Sequence, residues 1–182
     1  PAMPRNETVA QTLGLQNKLC ISYIGSLYPW EGVDCMIRAM PKVKEAIPNS
    51  QLLIIGKGEE SGRLQSLVDE LGCGGYVKLV GHVPHSVVSD YYSVADILVY
   101  PRRRSRQTEL VTPLKPLEAL CMEKAIVASD VGGIRELLGD AGKFFRADDP
   151  GDLARACIEL GSDSIERASR AAAGREYALA TR

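Results

Sequence analysis

Histidine is nearly absent from this sequence. There are two, His82 and His85, and no cysteine or histidine cluster has the spacing of metal ligands, so no metal site is predicted. An excess of one charge is absent as well. Lys plus Arg number 22 and Asp plus Glu 23, for a net charge of −1, which removes general nucleic-acid binding and leaves no nucleic-acid partner expected. No apolar run approaches the roughly 20 residues of a membrane helix, and no signal-peptide pattern opens the chain. The five cysteines, Cys20, Cys35, Cys73, Cys121 and Cys157, are odd in number, widely spaced and mostly set in apolar runs. That pattern argues against a disulfide framework and predicts reduced core thiols in a cytoplasm.

What is present is a regular alternation, in a chain of 182 residues that suffices for one well-buried domain and not for two ordinary ones. LCISYIG (19–25), QLLIIG (51–56), VKLVG (77–81), DILVY (96–100), AIVAS (125–129) and KFF (143–145) read as strands. Most are apolar without alternation, as strands buried on both faces are. Helical candidates separate them: 33–47, the run carrying Leu64, Leu67, Val68 and Leu71, then 84–93, 113–122, 133–138 and 152–160. Pro41 falls inside the first, where a kink or a break into two short helices is expected. A polar, alanine-rich helix over 165–180 closes the chain. The predicted fold class is α/β, a Rossmann-like parallel sheet flanked by helices. Residues 1–18 read as a linker, 19–162 as the domain and 163–182 as a C-terminal helix. The linker-like opening, PAMPRNETVAQTLGL, leads us to expect a fragment whose N-terminal partner domain is absent.

Parallel sheets bind ligands outside the carboxyl ends of their strands, so the loops that follow strands carry the candidates. GSLYPWEG (25–32), GKGEE (56–60) and GHVPH (81–85) follow the first three, with Pro84 expected to open the next helix. Each also reads as an ordinary loop. GKGEE is half of a dinucleotide fingerprint, but Ser61 stands where the third glycine would be, which argues against a nicotinamide oxidoreductase. The fourth strand runs into YPRRRSRQTELVTP, crowding Arg102, Arg103, Arg104 and Arg106 at one strand end. This is either a solvated charged loop or an anion site, since guanidinium forks suit phosphate oxygens. After the fifth strand, Gly132 and Gly133 precede a helix, and Asp130 or Glu136 either touches a sugar hydroxyl or, for Asp130, caps the turn.

The stretch TELVTPLKPLEAL (108–120) combines Glu109, Glu118 and Lys115 with two prolines, Pro113 and Pro116. Thr112 is the expected N-cap and Pro113 the first helical residue, with Pro116 still in the first turn. Such a helix aims the Leu114 and Lys115 amides, and the Lys115 ammonium, at the strand edge. Glu118 lies on the same face as Lys115. Phosphate at Lys115 and ribose hydroxyls at Glu118 would describe a nucleotide. The alternative is a surface Lys–Glu pair worth a few tenths of a kcal/mol.

LKPLEAL followed by AIVASDVGGIREL resembles the donor-side domain of the retaining group 1 glycosyltransferases, which have the GT-B fold. GSLYPWEGVDCMIRAM and LLIIGKGEE resemble the opening of that domain, and VKLVGHVPHSVVSDYYSVADILVYP its middle; together the match spans about 19–160. YPRRRSRQTELVTPLKPLEAL is similar to the subgroup encoded with exosortase and exopolysaccharide systems in bacteria. The resemblance implies the C-terminal half of a GT-B fold and a nucleotide-sugar donor, most often a UDP-sugar. It implies transfer with retention to a glycan or lipid-linked acceptor in exopolysaccharide synthesis, with no cofactor beyond that substrate and no obligatory metal. The acceptor site would lie on the missing N-terminal domain, so the fragment is expected to bind donor and turn over nothing alone. Its expected place is the cytoplasm or the inner face of the cytoplasmic membrane, with any peripheral membrane association made by the missing domain. The C-terminal helix is expected to help join the two domains.

Residue by residue, the family has two glutamates separated by seven residues. Glu118 matches the second, the ribose binder; the first would fall on Leu110, with Glu109 one residue away as its substitute. Ser26 and Glu31 stand where the family has the arginine and lysine that hold the diphosphate, which moves that role to Arg102, Arg106 and Lys115. The candidate catalytic residues are therefore Glu109 and Lys115. The candidate donor-binding set is Gly25, Ser26, Gly56, Lys57, Gly58, His82, Val83, Arg102, Arg106, Thr112, Pro113, Leu114, Lys115 and Glu118. Two other classes stand beside this reading: a nucleotide-binding regulatory module without transferase chemistry, and a nucleotide-sugar epimerase.

Overall fold

The six apolar runs form one all-parallel sheet. The computed structural model describes residues 4–181, with strands β1 (Leu19–Ile24), β2 (Ser50–Ile55), β3 (Val77–Gly81), β4 (Ile97–Tyr100), β5 (Ala125–Ser129) and β6 (Lys143–Phe145). Their order is β3-β2-β1-β4-β5-β6. The direction of winding reverses between β1 and β4, and doubly wound sheets open their ligand crevice at that point. The α/β, Rossmann-like class expected from the sequence is the one found.

Nine helices accompany the sheet among the described residues: α1 (Glu7–Thr12), α2 (Val33–Ala46), α3 (Ser61–Glu70), α4 (Val88–Val94), α5 (Arg106–Leu110), α6 (Lys115–Cys121), α7 (Gly132–Leu138), α8 (Pro150–Ser162) and α9 (Ser164–Thr181). Every residue of β1, β2, β4 and β5 is buried, which is why these runs are apolar without alternation. Successive side chains feed opposite layers. Ile21, Tyr23, Leu52, Ile54, Ile97 and Val99 join α2, α3 and α8 in one core. Cys20, Ile24, Leu53, Ile55, Leu98 and Tyr100 join α1, α4, α6 and α7 in the other. Helix α9 sends Ala171 to the first layer and Ala178 to the second.

Three elements depart from expectation. First, α2 runs through Pro41 as one helix. An internal proline costs about 3 kcal/mol, but Val33, Met36, Ile37, Met40 and Val43 are all buried on the helix's inner face, each contributing about 1.5–3 kcal/mol. Packing outweighs the proline. Second, residues 4–18 of the expected linker are folded onto the domain, residues 1–3 lying outside the described residues. Asn6 caps α1 by accepting the Val9 N–H at 3.1 Å, Ala10 and Leu15 are buried, and the Arg5 guanidinium donates to the Val94 carbonyl at 3.1 Å. Third, Pro84 precedes a single 3-10 turn, His85–Val87, and α4 starts only at Val88. No helix among the described residues is long and apolar enough to cross a membrane.

Candidate functional site

The carboxyl ends of β1 and β2 meet at backbone distance because two glycines stand there. Gly56 sits at φ +138°, and a Cβ on it would overlap the Gly25 carbonyl oxygen. The Gly25 N–H donates to the Ile55 carbonyl at 2.9 Å, and the Gly56 N–H to the Gly81 carbonyl at 2.8 Å. Three strand ends are thus laced into one floor. Above it opens a cavity of about 750 Å³.

Its walls come from three loops and two helices. The loop after β1 contributes Gly25, Ser26 and Tyr28, and the loop after β2 contributes Gly56, Lys57 and Gly58. His82, Val83 and His85 follow β3; Val88 and Tyr92 come from α4, and Lys115 and Glu118 from α6. Nine of the candidate donor-binding residues therefore share one cavity: Gly25, Ser26, Gly56, Lys57, Gly58, His82, Val83, Lys115 and Glu118. Tyr28, His85, Val88 and Tyr92 were not among the candidates. Three of these lie in or beside loops already singled out. The signal missed was that strand-end loops carry wall residues on both sides of their glycines.

The start of α6 corrects the sequence reading. The helix begins at Lys115, with Leu114 at the N-cap position and no side-chain cap, and Pro116 second. Had Pro113 been the first residue, Pro116 would have been the fourth, whose N–H makes the first intrahelical bond. As it is, the Glu118 N–H donates to the Leu114 carbonyl at 3.2 Å, and the donor missing at Pro116 is one that no helix start can satisfy internally. Thr112 and Leu114 are exposed and Pro113 half-buried, and none of the three lines the cavity.

Lys115 is positioned by what surrounds it. The buried Tyr100 hydroxyl donates to the Lys115 carbonyl at 3.0 Å, which ties the helix start to the end of β4. The Tyr23 hydroxyl donates to the Ser26 carbonyl at 2.8 Å and holds the β1 loop. Burial, then the Glu118 charge, pushes the Tyr92 phenol up to about 12. Tyr92 therefore stays a neutral donor, and its hydroxyl points to the Glu118 carboxylate at 3.4 Å.

The arginine cluster is placed elsewhere. Arg102, a candidate for the diphosphate, pairs with Glu31 at 3.0 Å, with side chains 13% and 9% exposed. Arg103 bonds Asp34 at 2.7 Å and Asp148 at 3.0 Å. Arg104 lies 3.5 Å from Glu109 and donates to the Asp130 carbonyl at 2.7 Å. Arg106 is exposed on α5 and does not line the cavity. Carboxylates from α2 and from the loop after β6 reach the same strand end and take the guanidinium forks. The sequence shows four cations together but not the acids the fold brings to three of them. Glu109 is likewise off the cavity wall: its Oε2 accepts the Gly132 N–H at 2.7 Å, joining α5 to α7. Asp130 pairs with Arg135 at 2.9 Å, a contact that holds its carboxyl below the usual range.

Comparison with known proteins fits this geometry. The family model for group 1 glycosyl transferases matches residues 18–163. A GDP-mannose-dependent monoacylated alpha-(1-6)-phosphatidylinositol monomannoside mannosyltransferase of Corynebacterium glutamicum is 31% identical over 97% of this chain and 47% of its own length. Sucrose-phosphate synthase from Thermosynechococcus elongatus superposes with a TM-score of 0.83 at 26% identity, covering 98% of this chain and 45% of that one. HepE from Anabaena, solved in complex with UDP, gives 0.84 at 20% identity, covering 96% of this chain and 47% of that one. The last comparison shows the fold alone. The chain spans about half the length of the curated relatives it matches. With six parallel strands, a cavity at the winding reversal and a family match across nearly the whole sheet, this chain belongs to the group 1 glycosyl transferases.

Proposed function

We propose that the cavity binds the nucleoside diphosphate of a nucleotide-sugar, and that the chain is the donor-binding half of a retaining glycosyltransferase whose acceptor is a glycan or lipid-linked sugar. The observation that carries this reading is the union of Lys115, Glu118 and the two strand-end glycines around one cavity. The Lys115 ammonium stands over Gly25, where a bare backbone lets a diphosphate approach, and Lys57 adds a second cation at the same rim. Glu118, one turn along α6, accepts ribose hydroxyls. Breaking the sugar–phosphate bond builds charge on the departing diphosphate, and fixed cations stabilise charge where it develops. Arg102 and Arg106 act outside this pocket, so Lys115 and Lys57 take the diphosphate role. Glu109 serves the sugar indirectly by holding Gly132. The relatives that resemble the chain support the donor class: the Corynebacterium enzyme is named for GDP-mannose and the Anabaena neighbour holds UDP.

In this reading the reaction belongs to bacterial exopolysaccharide synthesis at the cytoplasmic side of the membrane. The acceptor is held by a second domain, and this half alone binds donor without transfer. Calorimetric titration with UDP, GDP and ADP, with Glu118→Ala as control, tests the proposal. Selective binding of one diphosphate, lost in the variant, supports it and names the base. Absence of binding by this chain and by a form joined to its acceptor domain overturns it.

A further inference from the structure

The same cavity has one wall that the diphosphate reading does not use. Tyr28 follows Ser26 by two residues in the loop after β1, and it lines the same cavity as Gly25 and Lys115 while remaining 41% exposed. Its ring stacks on Trp30, centroids 4.6 Å apart and planes 14° from parallel. The chain has a single tryptophan. An exposed tyrosine backed by a parallel indole presents a flat, electron-rich face.

This face is held still. The Arg103 side chain donates to the Pro29 carbonyl at 3.0 Å, and the Arg103 N–H to the Trp30 carbonyl at 3.0 Å. Arg103 is itself fixed by Asp34 and Asp148. Glu31, next in the chain, is buried against Arg102. Gly32, at φ +66°, closes the turn where a Cβ would overlap the Pro101 carbonyl oxygen. The turn carrying the pair thus receives one guanidinium bond and one backbone bond from Arg103, and the arginines missing from the cavity are those that anchor its rim. A rigid aromatic loses little conformational freedom when it binds.

We propose that Tyr28, supported by Trp30, is a stacking platform for a pyranose ring in the same cavity as the diphosphate. The C–H face of a pyranose is weakly positive and apolar, and it complements the negative face of an aromatic ring. The inference rests on the donor reading above, which sets the diphosphate at Lys115 and Gly25, in the cavity that Tyr28 also lines. Two sugars have this chemistry, the one carried by the donor and one on the acceptor.

The test uses Tyr28→Ala and Tyr28→Phe, each titrated with UDP, UDP-glucose, GDP, GDP-mannose and, in the presence of the tighter diphosphate, methyl α-glucoside and methyl α-mannoside. Trp30 emission supplies a readout beside calorimetry, because a ring laid on Tyr28 perturbs its only indole neighbour. The expected result is that Tyr28→Ala loses about five- to tenfold in affinity for a sugar-bearing ligand, keeps the parent affinity for the bare diphosphate, and abolishes the ligand-induced emission change. Tyr28→Phe behaves as the parent, since stacking needs the ring and not the hydroxyl. A loss confined to the nucleotide-sugars assigns the platform to the donor, and a loss confined to the methyl glycosides assigns it to the acceptor. Unchanged binding of every sugar-bearing ligand overturns the platform while leaving the donor site intact. So does an equal loss on bare diphosphate. A parent that binds no nucleotide overturns the donor reading itself, and this inference with it.

Discussion

Lys115 and Gly25 make one contact surface although they lie on different elements. A Cβ placed on Gly25 would come within 2.7 Å of the Lys115 Nζ and 2.8 Å of the Tyr23 hydroxyl. The ammonium can move aside. Tyr23 cannot, being fully buried with its hydroxyl committed to Ser26. Gly25→Ala is therefore expected to lower stability by about 1–3 kcal/mol and to weaken diphosphate binding at least about tenfold. Denaturant unfolding and calorimetry measure the two effects. Parent-like affinity in a folded Gly25→Ala protein would separate Lys115 from the binding site.

In the proposed site Glu118 takes the ribose and Lys115 the diphosphate. Glu118→Ala is expected to weaken nucleotide binding by about 1–3 kcal/mol, the cost of removing one partner of a desolvated hydrogen bond. Lys115→Ala should weaken a nucleoside diphosphate more than the free nucleoside. Titrating each variant with both ligands checks the division, and equal losses on the two ligands in the lysine variant would refute it.

Arg102 is expected to matter for folding more than for binding. Removing it strands the buried Glu31 carboxylate, and breaking such a pair costs about 3–5 kcal/mol. Replacing both partners, as in Arg102→Met with Glu31→Leu, should recover much of that loss. Urea midpoints for the single and double variants test this. Nucleotide affinity of the folded single variant stays within about twofold of the parent; a collapse of affinity without loss of stability would return Arg102 to the donor site.

The thiols give a pH test. Burial pushes Cys20, Cys35 and Cys157 up to about 12 from an ordinary 9.0. A thiol whose folded value is raised gives up its proton first in the unfolded chain. Its contribution to stability is complete below pH 9.0 and is lost as pH rises from there toward 12. Stability is thus expected to fall progressively above about pH 9. A thiol reagent at pH 8 should label Cys121 rapidly, since Cys121 is exposed while the other cysteines are buried, and label all five only in denaturant. Rapid labelling of two or more in the native protein would contradict this packing.

The strands show how much a sequence can say unaided. Uninterrupted apolar runs such as QLLII require burial on both faces, and that forces a parallel sheet with helices on each side. A glycine where a strand ends, as at Gly25 and Gly56, marks a backbone that must be approached closely. Both inferences need only local chemistry, so both were legible. The helix at Lys115 was legible in outline but not in phase. Its start depends on which residue's N–H the second proline removes, and that is decided by where the preceding loop leaves the sheet. The arginines were the least legible. Arg102, Arg103 and Arg104 carry the same charge and adjoin the same strand end, yet they are drawn to Glu31, Asp34, Asp148 and Glu109 and not to the cavity. Charge is a long-range property whose partners are set by the fold. The sequence by itself determined the sheet, its layers and the strand-end loops that line the cavity. The tertiary structure alone decided which cations face the cavity, because only the assembled fold shows which of them already have a carboxylate within reach.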